Sequence, residues 1–286
     1  MRAYLEAEDD GLPMREAGAW AAEKLDYLAR YIDVFETSMR QKWHIRYYVD
    51  LLAGPGKNVV RDSGTVLLGS PLLALTTTHP FTGYFFVDLS DENTQTLRQR
   101  CDASPNAHCV DIRTGDCNDL VDDVVARIKQ DEWRSLNLAF LDPEGMELRW
   151  ETVAKLASVR RMDLIVNYPQ GGLNRYMRQA FEADDQTCVD DFFGDQAWRE
   201  IYQDWRIRGA GRRLHRQLID FYRERLQKLG YTDFRQVDQG GSEPIIRNVK
   251  RRAPLYRLLF ASKHLLGHDF WDKVTRKDVY GQTRLF

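Results

Sequence analysis

The stretch from Tyr47 to Gly56 constrains the fold most strongly, because an apolar run ends there in an acid and then in a pair of glycines. Asp50 closes the run, and Gly54 and Gly56 occupy the turn that follows. Glycine accepts backbone dihedral angles that a side chain forbids, and it lets a ligand approach the backbone closely. The stretch therefore predicts a β-strand that ends at a nucleotide pocket.

The residues around this turn distinguish between nucleotide ligands. A dinucleotide fingerprint has Gly or Ala three positions after its second glycine, where the helix packs on the strand, but this chain has Val59 there. This difference disfavours NAD and FAD. An acid just before the turn, as Asp50 is, suits a ligand that presents an ammonium group beside a nucleoside. S-adenosylmethionine (SAM) has that shape, and we expect it as the cofactor.

The rest of the chain alternates strand-like and helix-like patterns. Further apolar runs that end in polar residues are found at 84–88, 136–142 and 164–167, with a weaker run at 108–112. Such near-continuous hydrophobicity is typical of parallel strands that are buried on both faces. Helical patterns fill the gaps, around 92–100, 120–130 and 151–160. The alternation predicts right-handed crossovers and a doubly wound, Rossmann-like α/β sheet.

The C-terminal part of the chain predicts how the sheet closes. A helix is expected from Arg212 to Leu229, followed by strands near 234–237 and 255–261. No helical crossover fits between these two strands, so we expect them to pair as antiparallel neighbours. Parallel strands closed by an antiparallel C-terminal hairpin are typical of class I methyltransferases.

Length and charge balance bound the domain organisation and the partners. A chain of 286 residues fits one large α/β domain. We expect a single domain, 1–286, with a helical N-terminal extension, 1–42, and a polar insertion, 171–211, as a candidate substrate subdomain. The 41 basic and 43 acidic residues nearly balance, so contact with nucleic acid requires a local patch.

Several classes of site and location are disfavoured by what the sequence lacks. The acidic start has no apolar core typical of a signal peptide, and no run is long and apolar enough to span a bilayer. We therefore expect a cytoplasmic protein that does not associate with a membrane. The four cysteines and six histidines show no metal-ligand spacing, so no metal site is expected.

Two acids at predicted strand ends are candidate cofactor ligands, because ligands in such sheets bind beyond the carboxyl ends of the strands. Asp88 either accepts both ribose hydroxyls of a nucleoside or caps the next helix. Asp116 follows the weaker strand, and it either accepts from the adenine amino group or belongs to an ordinary Gly-Asp turn.

The acceptor side of the site is expected at Asp142, Pro143 and Glu144. The proline stiffens the turn after a buried strand and holds the neighbouring polar groups in place. Methyl transfer needs in-line alignment and, when the acceptor is not a free base, removal of a proton, for which Asp142 and Glu144 are the candidates. A solvated turn is the alternative. After the next strand, Asn167 is a candidate substrate ligand, and Tyr168 either stacks on a planar substrate or belongs to the core.

Basic residues form the remaining candidates for substrate binding. One cluster spans 206–216 and includes Arg212 and Arg213, and Arg175 and Arg178 precede it in the same region. Clustered cations bind nucleic-acid phosphates through counterion release. The alternative is a set of solvated arginines that pair with nearby acids.

Three segments stand out together: YVDLLAGPG at 48–56, GSP at 69–71 and LYRLLFASKH at 255–264. With these segments, and with Phe270 and Trp271 near the end, the chain resembles the three-Cys-motif partner proteins, a bacterial family with a class I methyltransferase-like fold. The resemblance covers most of the chain. It implies a radical-SAM-like partner protein that bears three cysteines.

The resemblance to methyltransferases also implies roles for single residues. Asp50, Gly54 and Gly56, with Ala53 beside them, would contact the methionine part of the cofactor. Asp88 would bind the ribose and Asp116 the adenine. The expected function is SAM-dependent methyl transfer to nucleic acid or a modified nucleotide, carried out with the three-Cys partner. The alternative is a non-catalytic adaptor that keeps the fold and binds its partner protein.

Overall fold

The computed structural model describes residues 3–209, 214–232 and 243–276. Its strands, in chain order, are β1 (Arg15–Ala17), β2 (Ile45–Asp50), β3 (Lys57–Val60), β4 (Val66–Leu68), β5 (Gly83–Asp88), β6 (Val110–Thr114), β7 (Ser135–Leu141), β8 (Met162–Tyr168), β9 (Ile245–Arg247) and β10 (Pro254–Ala261). Its helices are α1 (Ala21–Met39), α2 (Ser70–Leu75), α3 (Asp91–Asp102), α4 (Cys117–Lys129), α5 (Trp150–Ala157), α6 (Gln170–Glu182), α7 (Cys188–Phe193), α8 (Trp198–Arg208), α9 (Leu214–Lys228) and α10 (Leu265–Thr275).

Seven strands form the central sheet in the order β6-β5-β2-β7-β8-β10-β9. The five strands from β6 to β8 pair in parallel, and β10 runs antiparallel to both of its neighbours. This strand order, with one reversed strand next to the edge, is that of class I methyltransferases, so the predicted fold class is confirmed. The predicted strand near 234–237 lies outside the described residues, and the observed partner of β10 is β9.

Two helical layers cover the two faces of the sheet. Successive strand residues point to opposite faces, so Val49 packs against the layer formed by α4 to α9, whereas Tyr48 packs against α1, α2, α3 and α10. Both side chains are fully buried. Burial on both faces explains why these strands read as continuous apolar runs. The segment 171–211 contributes most of α6 together with α7 and α8, and their apolar side chains join the first layer.

A second, small sheet lies beside the glycine turn. β3 and β4 form an antiparallel hairpin within the segment between the turn and α2, and β1 pairs in parallel with β3. Ala17, Leu25, Val60 and Leu67 pack together beneath it. The sequence pattern of this polar segment had not predicted the hairpin. Its consequence is that the N-terminal segment is held against the glycine turn.

Local signals explain where several helices begin. The Ser90 hydroxyl accepts from the backbone N–H of Asn93, 3.3 Å away, at the start of α3. Thr187 and Asp190 form a reciprocal capping box at the start of α7. In the described ranges, no helix combines the length and hydrophobicity needed to cross a membrane.

Candidate functional site

A cavity of about 290 Å³ lies beyond the carboxyl ends of β2 and β7. Three parts of the chain line it: the glycine turn after β2, the turn after β7, and the N-terminal segment that includes the start of α1. The lining includes Arg15, Trp20, Lys24, Ala53, Gly54, Gly56, Asp142, Pro143, Glu144 and Tyr256. The cavity therefore contains both the predicted glycine turn and the predicted acceptor turn.

The glycine turn has a backbone conformation that side chains rarely adopt. Gly54 has φ 63° and Gly56 has φ 91°. A Cβ on Gly56 would lie 2.9 Å from Cδ1 of Leu97, which is closer than real Cβ contacts. The carbonyl of Gly56 accepts from the N–H of Gly69 at 2.7 Å, so the turn is tied to the start of α2. Both glycines are thus required by the turn itself.

Asp50 is fully buried behind the glycine turn and does not line the cavity. Its Oδ1 accepts from the backbone N–H of Leu52 at 3.2 Å. Among the described residues, Oδ2 has no hydrogen-bond partner of normal geometry, although the Ser70 hydroxyl is near enough to affect the pKa. Burial raises the pKa of Asp50 to about 7, against the opposing effects of Ser70 and the Leu52 N–H.

Asp88, at the end of β5, is tied to the glycine turn. Its Oδ2 accepts from the backbone N–H of Gly54 at 2.7 Å, and its Oδ1 accepts from the N–H of Ser90 and from Nδ2 of Asn93, each at 2.9 Å. The cap of α3 is Ser90, not Asp88. Asp88 is half-buried and lies outside the cavity lining. Its carboxylate holds the turn in place from the neighbouring strand.

Asp116 caps α4. Its carboxylate accepts from the backbone N–H of Asn118 at 2.8 Å and from the side chain of the same residue at 2.7 Å. The preceding Gly115 donates its N–H to the carbonyl of Asp88 at 3.0 Å, so the ends of β5 and β6 are close together. Asp116 does not line the cavity.

The acceptor turn carries two carboxylates, each of which is already paired with a cation. Asp142 forms an ion pair with Lys24, and its Oδ1 accepts from Nδ2 of Asn167 at 2.6 Å. Glu144 forms an ion pair with Arg15. The side chain of Asp142 is only 15% exposed, whereas that of Glu144 is 67% exposed. Asp142 is therefore the more strongly positioned of the two.

Two aromatic rings enclose the Lys24 ammonium group. Its Nζ lies 5.3 Å from the ring centroid of Trp20 and 5.7 Å from that of Tyr256. The two rings are themselves 5.2 Å apart. Sequence reasoning missed Arg15, Trp20 and Lys24, because they are far along the chain from the acceptor turn. One signal was available: Lys24 lies four residues before Leu28, on the apolar face of α1.

Other predicted residues lie away from the cavity. Tyr168 is fully buried, its hydroxyl is 3.1 Å from Nδ1 of His215, and its ring packs edge-on against Phe192. This burial leaves the ring no open face for a planar substrate. Arg175 and Arg178 are exposed on α6, and Arg178 pairs with Glu182 on the same helix. Arg212 and Arg213 lie outside the described residues. In the described part of the chain, no group of three or more His, Cys, Asp or Glu side chains is arranged to hold a metal ion.

No protein-family model matches the chain, and no curated protein matches it in sequence. Solved structures with a similar backbone include a candidate SAM-dependent methyltransferase from Listeria monocytogenes. The two chains share 13% identity, the match covers 85% of this chain and 98% of the other, and the TM-score is 0.43. A candidate methyltransferase in complex with the activator Trm112 of Haloferax volcanii has 14% identity, covers 86% of this chain and 97% of that one, and has a TM-score of 0.35. A Legionella pneumophila protein has 12% identity over 58% of this chain and 74% of that one, with a TM-score of 0.40. The strand order carries the conclusion independently of these likenesses: the chain has a class I methyltransferase-like fold.

Proposed function

We propose that this protein is a SAM-dependent methyltransferase that acts on nucleic acid or on a modified nucleotide. The observation that carries the proposal is the single cavity in which the glycine turn and the acceptor turn meet, at the ends of β2 and β7. Methyl transfer requires the donor and the acceptor to be held side by side in a fixed alignment. A cavity with a glycine turn and a positioned carboxylate supplies both sides of such an arrangement.

The residues around the glycine turn fit SAM. Gly54 lines the cavity, and a Cβ there would point towards Nη1 of Arg15 at the ordinary contact distance of 3.6 Å, so glycine is favoured at this position by its φ of 63°. Gly54, Gly56 and the neighbouring Ala53 would hold the methionine part, with the buried Asp50 carboxyl behind them. A carboxylate can accept about four hydrogen bonds. Asp88 already accepts three, so it retains capacity for one from a ribose hydroxyl. Asp116, with two donors, retains capacity for an adenine amino group.

When bound, SAM supplies an electrophilic methyl group on a sulfonium centre. The part of this chain is to bind and orient the acceptor and to take its proton, a role that we assign to Asp142. Asn167 keeps the Asp142 carboxylate in place from β8. The Lys24 ammonium and the Asn167 amide occupy two of the roughly four acceptor positions of the Asp142 carboxylate, which leaves positions for a proton from a substrate.

A nucleotide acceptor is supported by the remaining lining of the cavity. Trp20 and Tyr256 offer ring faces on which a base can stack. Arg15 and Lys24 are cations at the same cavity, and each would bind a phosphate in exchange for its present carboxylate partner, Glu144 or Asp142. Trp20 and Tyr256 supply the aromatic contact that the acceptor turn, residues 142–144, lacks.

The first experiment measures thermal unfolding with SAM, S-adenosylhomocysteine, NAD and ATP. Ligand at about a hundred times its dissociation constant adds roughly 2.7 kcal/mol, which is a shift of several degrees at this size. We expect a shift with the two adenosyl ligands only, lost in Asp88→Ala. Asp122→Ala is the matched control, because Asp122 is exposed and forms a surface ion pair with Lys155. An equal response in both variants would contradict the assigned pocket.

The second experiment follows labelled methyl groups from SAM into nucleic acid, with the radical-SAM-like three-Cys partner present and absent. We expect Asp142→Asn to abolish incorporation and Asp122→Asn to preserve it. The partner itself is proposed from the sequence resemblance. Incorporation that survives Asp142→Asn would exclude Asp142 as the proton acceptor.

A non-catalytic adaptor is the second candidate, and one observation favours it. Both acceptor-side carboxylates are neutralised by cations of the same chain, Lys24 on Asp142 and Arg15 on Glu144. An adaptor would bind the three-Cys protein without transferring a methyl group. Retained partner binding by Asp142→Asn is expected for both candidates, so only the methyl-transfer assay separates them.

A further inference from the structure

A second cavity, of about 430 Å³, lies at the opposite end of the sheet from the first. Leu136 and Asp163, near the starts of β7 and β8, line it, whereas the first cavity lies beyond the end of β7. At about 3.3 Å per residue, the two cavities are separated by roughly 20 Å along β7. We call this second space the basal cavity. It goes beyond the site proposed above, because the two cavities share no lining residue.

Four cations line the basal cavity: Lys42, Arg160, Arg161 and Lys263. In the described part of the chain, none of them forms a salt bridge with a carboxylate. Lys263 instead donates to the carbonyls of Ala157 and Val159, and Arg161 donates to those of Glu132 and Trp133. Burial lowers the pKa of Arg161, and the neighbouring charge of Arg160 lowers it further, against the opposing charge of Glu132.

Two carboxylates face these cations, and neither neutralises them by direct pairing. Glu132 accepts from the backbone N–H of Arg160. Asp163 is buried and accepts from the Tyr31 hydroxyl at 3.0 Å. The four cations outnumber the two carboxylates, which are hydrogen-bonded to other groups, so the electrostatic potential in this partly enclosed space is positive. The low dielectric constant there strengthens the potential. An anion in the cavity would relieve this repulsion.

Aromatic rings accompany the cations. The Arg161 guanidinium lies 4.4 Å from the ring centroid of Trp43, which lines the cavity. The Arg160 guanidinium lies 4.1 Å from the ring centroid of Trp133, a residue that is 69% exposed. Phe35 and other apolar side chains line the same space. Stacked arginine and tryptophan at a cationic site are typical of nucleotide recognition, because a base stacks on either plane and the phosphate pairs with the charge.

We propose that the basal cavity binds a nucleotide unit, with its phosphate at Arg160, Arg161 and Lys42 and its base against the Trp43 face of the cavity. The volume falls within the usual range for small-ligand pockets. The nucleotide unit has two sources, a free mononucleotide or one residue of a single strand. The test distinguishes them.

Isothermal titration calorimetry at low salt compares AMP, adenosine, inorganic phosphate and a short oligoadenylate. We expect AMP or the oligomer to bind at least tenfold more tightly than adenosine and phosphate. Tight AMP binding indicates a free nucleotide, whereas binding of the oligomer alone indicates a strand. Absence of binding by both AMP and the oligomer would overturn the proposal. The proposal would also be overturned if adenosine or phosphate bound with the same affinity as AMP and the oligomer. In that case either the cations or the aromatic rings would contribute nothing to binding.

Variants assign the binding to this cavity. Arg160→Gln changes an exposed side chain, and Arg161→Gln removes the cation on Trp43. We expect each to weaken binding at least fivefold. Arg208→Gln is the control, because Arg208 is an exposed arginine on α8 that pairs with Asp204 on the same helix. Unchanged affinity in both Arg160→Gln and Arg161→Gln would place the ligand elsewhere and refute the assignment. Thermal unfolding of each variant verifies its fold, and the exposed Arg160 keeps the test decisive if Arg161→Gln is unstable.

Discussion

Replacement of Gly56 by alanine tests the geometry of the glycine turn. The backbone at Gly56 has φ 91°, and an added Cβ would lie 2.9 Å from Cδ1 of Leu97 and 3.2 Å from Cδ1 of Leu72. Holding a non-glycine residue at such a φ costs about 1–3 kcal/mol. Forcing an extra carbon into a packed core costs about another 1–3 kcal/mol. We therefore expect Gly56→Ala to lower the free energy of unfolding by about 2–6 kcal/mol.

The chain offers a matched control in Gly230, which has φ 90° and open space where a Cβ would point. Gly230→Ala carries the same conformational cost without the collision. The difference between the two variants therefore isolates the steric cost at Leu97 and Leu72, expected at about 1–3 kcal/mol.

Urea unfolding of both variants is the assay, with the free energy taken from the midpoint at an unchanged slope. Equal losses in Gly56→Ala and Gly230→Ala would refute the close packing of the turn on α2 and α3. A smaller loss in Gly56→Ala than in Gly230→Ala would refute it more strongly. The same variants titrated with SAM separate damage to the fold from damage to the pocket.

Three further predictions concern buried charge and capping. Burial raises the pKa of Asp50 from 3.8 to about 7, so between these pH values the folded state holds a proton that the unfolded state has released. The contribution of Asp50 to the free energy of unfolding therefore falls by about 4 kcal/mol as the pH rises from about 4 to about 7. We expect Asp50→Asn to lack this fall, and parallel pH profiles of the unfolding free energy for the two proteins would contradict the prediction. Arg46→Leu should lower the free energy of unfolding by about 3–5 kcal/mol, because Nε of Arg46 donates to the fully buried Glu36 at 2.8 Å. Denaturant unfolding measures this loss, and a loss below about 1 kcal/mol would argue against the ion pair. Ser90→Ala should lower the free energy of unfolding by about 1 kcal/mol, because the Asn93 N–H at the start of α3 loses its acceptor. In the same assay we expect Ser90→Gly to lie closer to wild type, and equal losses in the two variants would count against the cap.

The strands and the glycine turn could be predicted because their signals are local. A strand buried on both faces needs an apolar residue at nearly every position, and 84–88, 136–142 and 164–167 satisfy this without reference to the rest of the chain. A left-handed turn needs glycine wherever the rest of the fold is. The position of Asp142 followed in turn, because the carboxyl ends of parallel strands meet at one edge.

The roles of single polar residues were less predictable, since identical side chains serve different partners. From sequence, Asp116 is a candidate adenine ligand or part of an ordinary Gly-Asp turn, and its capping of α4 is visible only in the hydrogen bonds to Asn118. Tyr168 has polar neighbours in sequence, but the packing of α7 and α9 over β8 buries its ring. Burial of a side chain depends on which elements cover it.

The class of sheet and the turn at its edge follow from the amino-acid sequence alone, because backbone conformation and hydrophobic period are encoded within a few residues. The surroundings of the two cavities follow from the folded chain, because residues far apart in sequence meet there. Arg15 lies on β1, which pairs with a hairpin more than forty residues away along the chain, and Lys24 lies on α1. Both side chains reach the acceptor turn in the folded chain. The basal cations come from three separate parts of the chain and combine their fields only when the sheet brings them together.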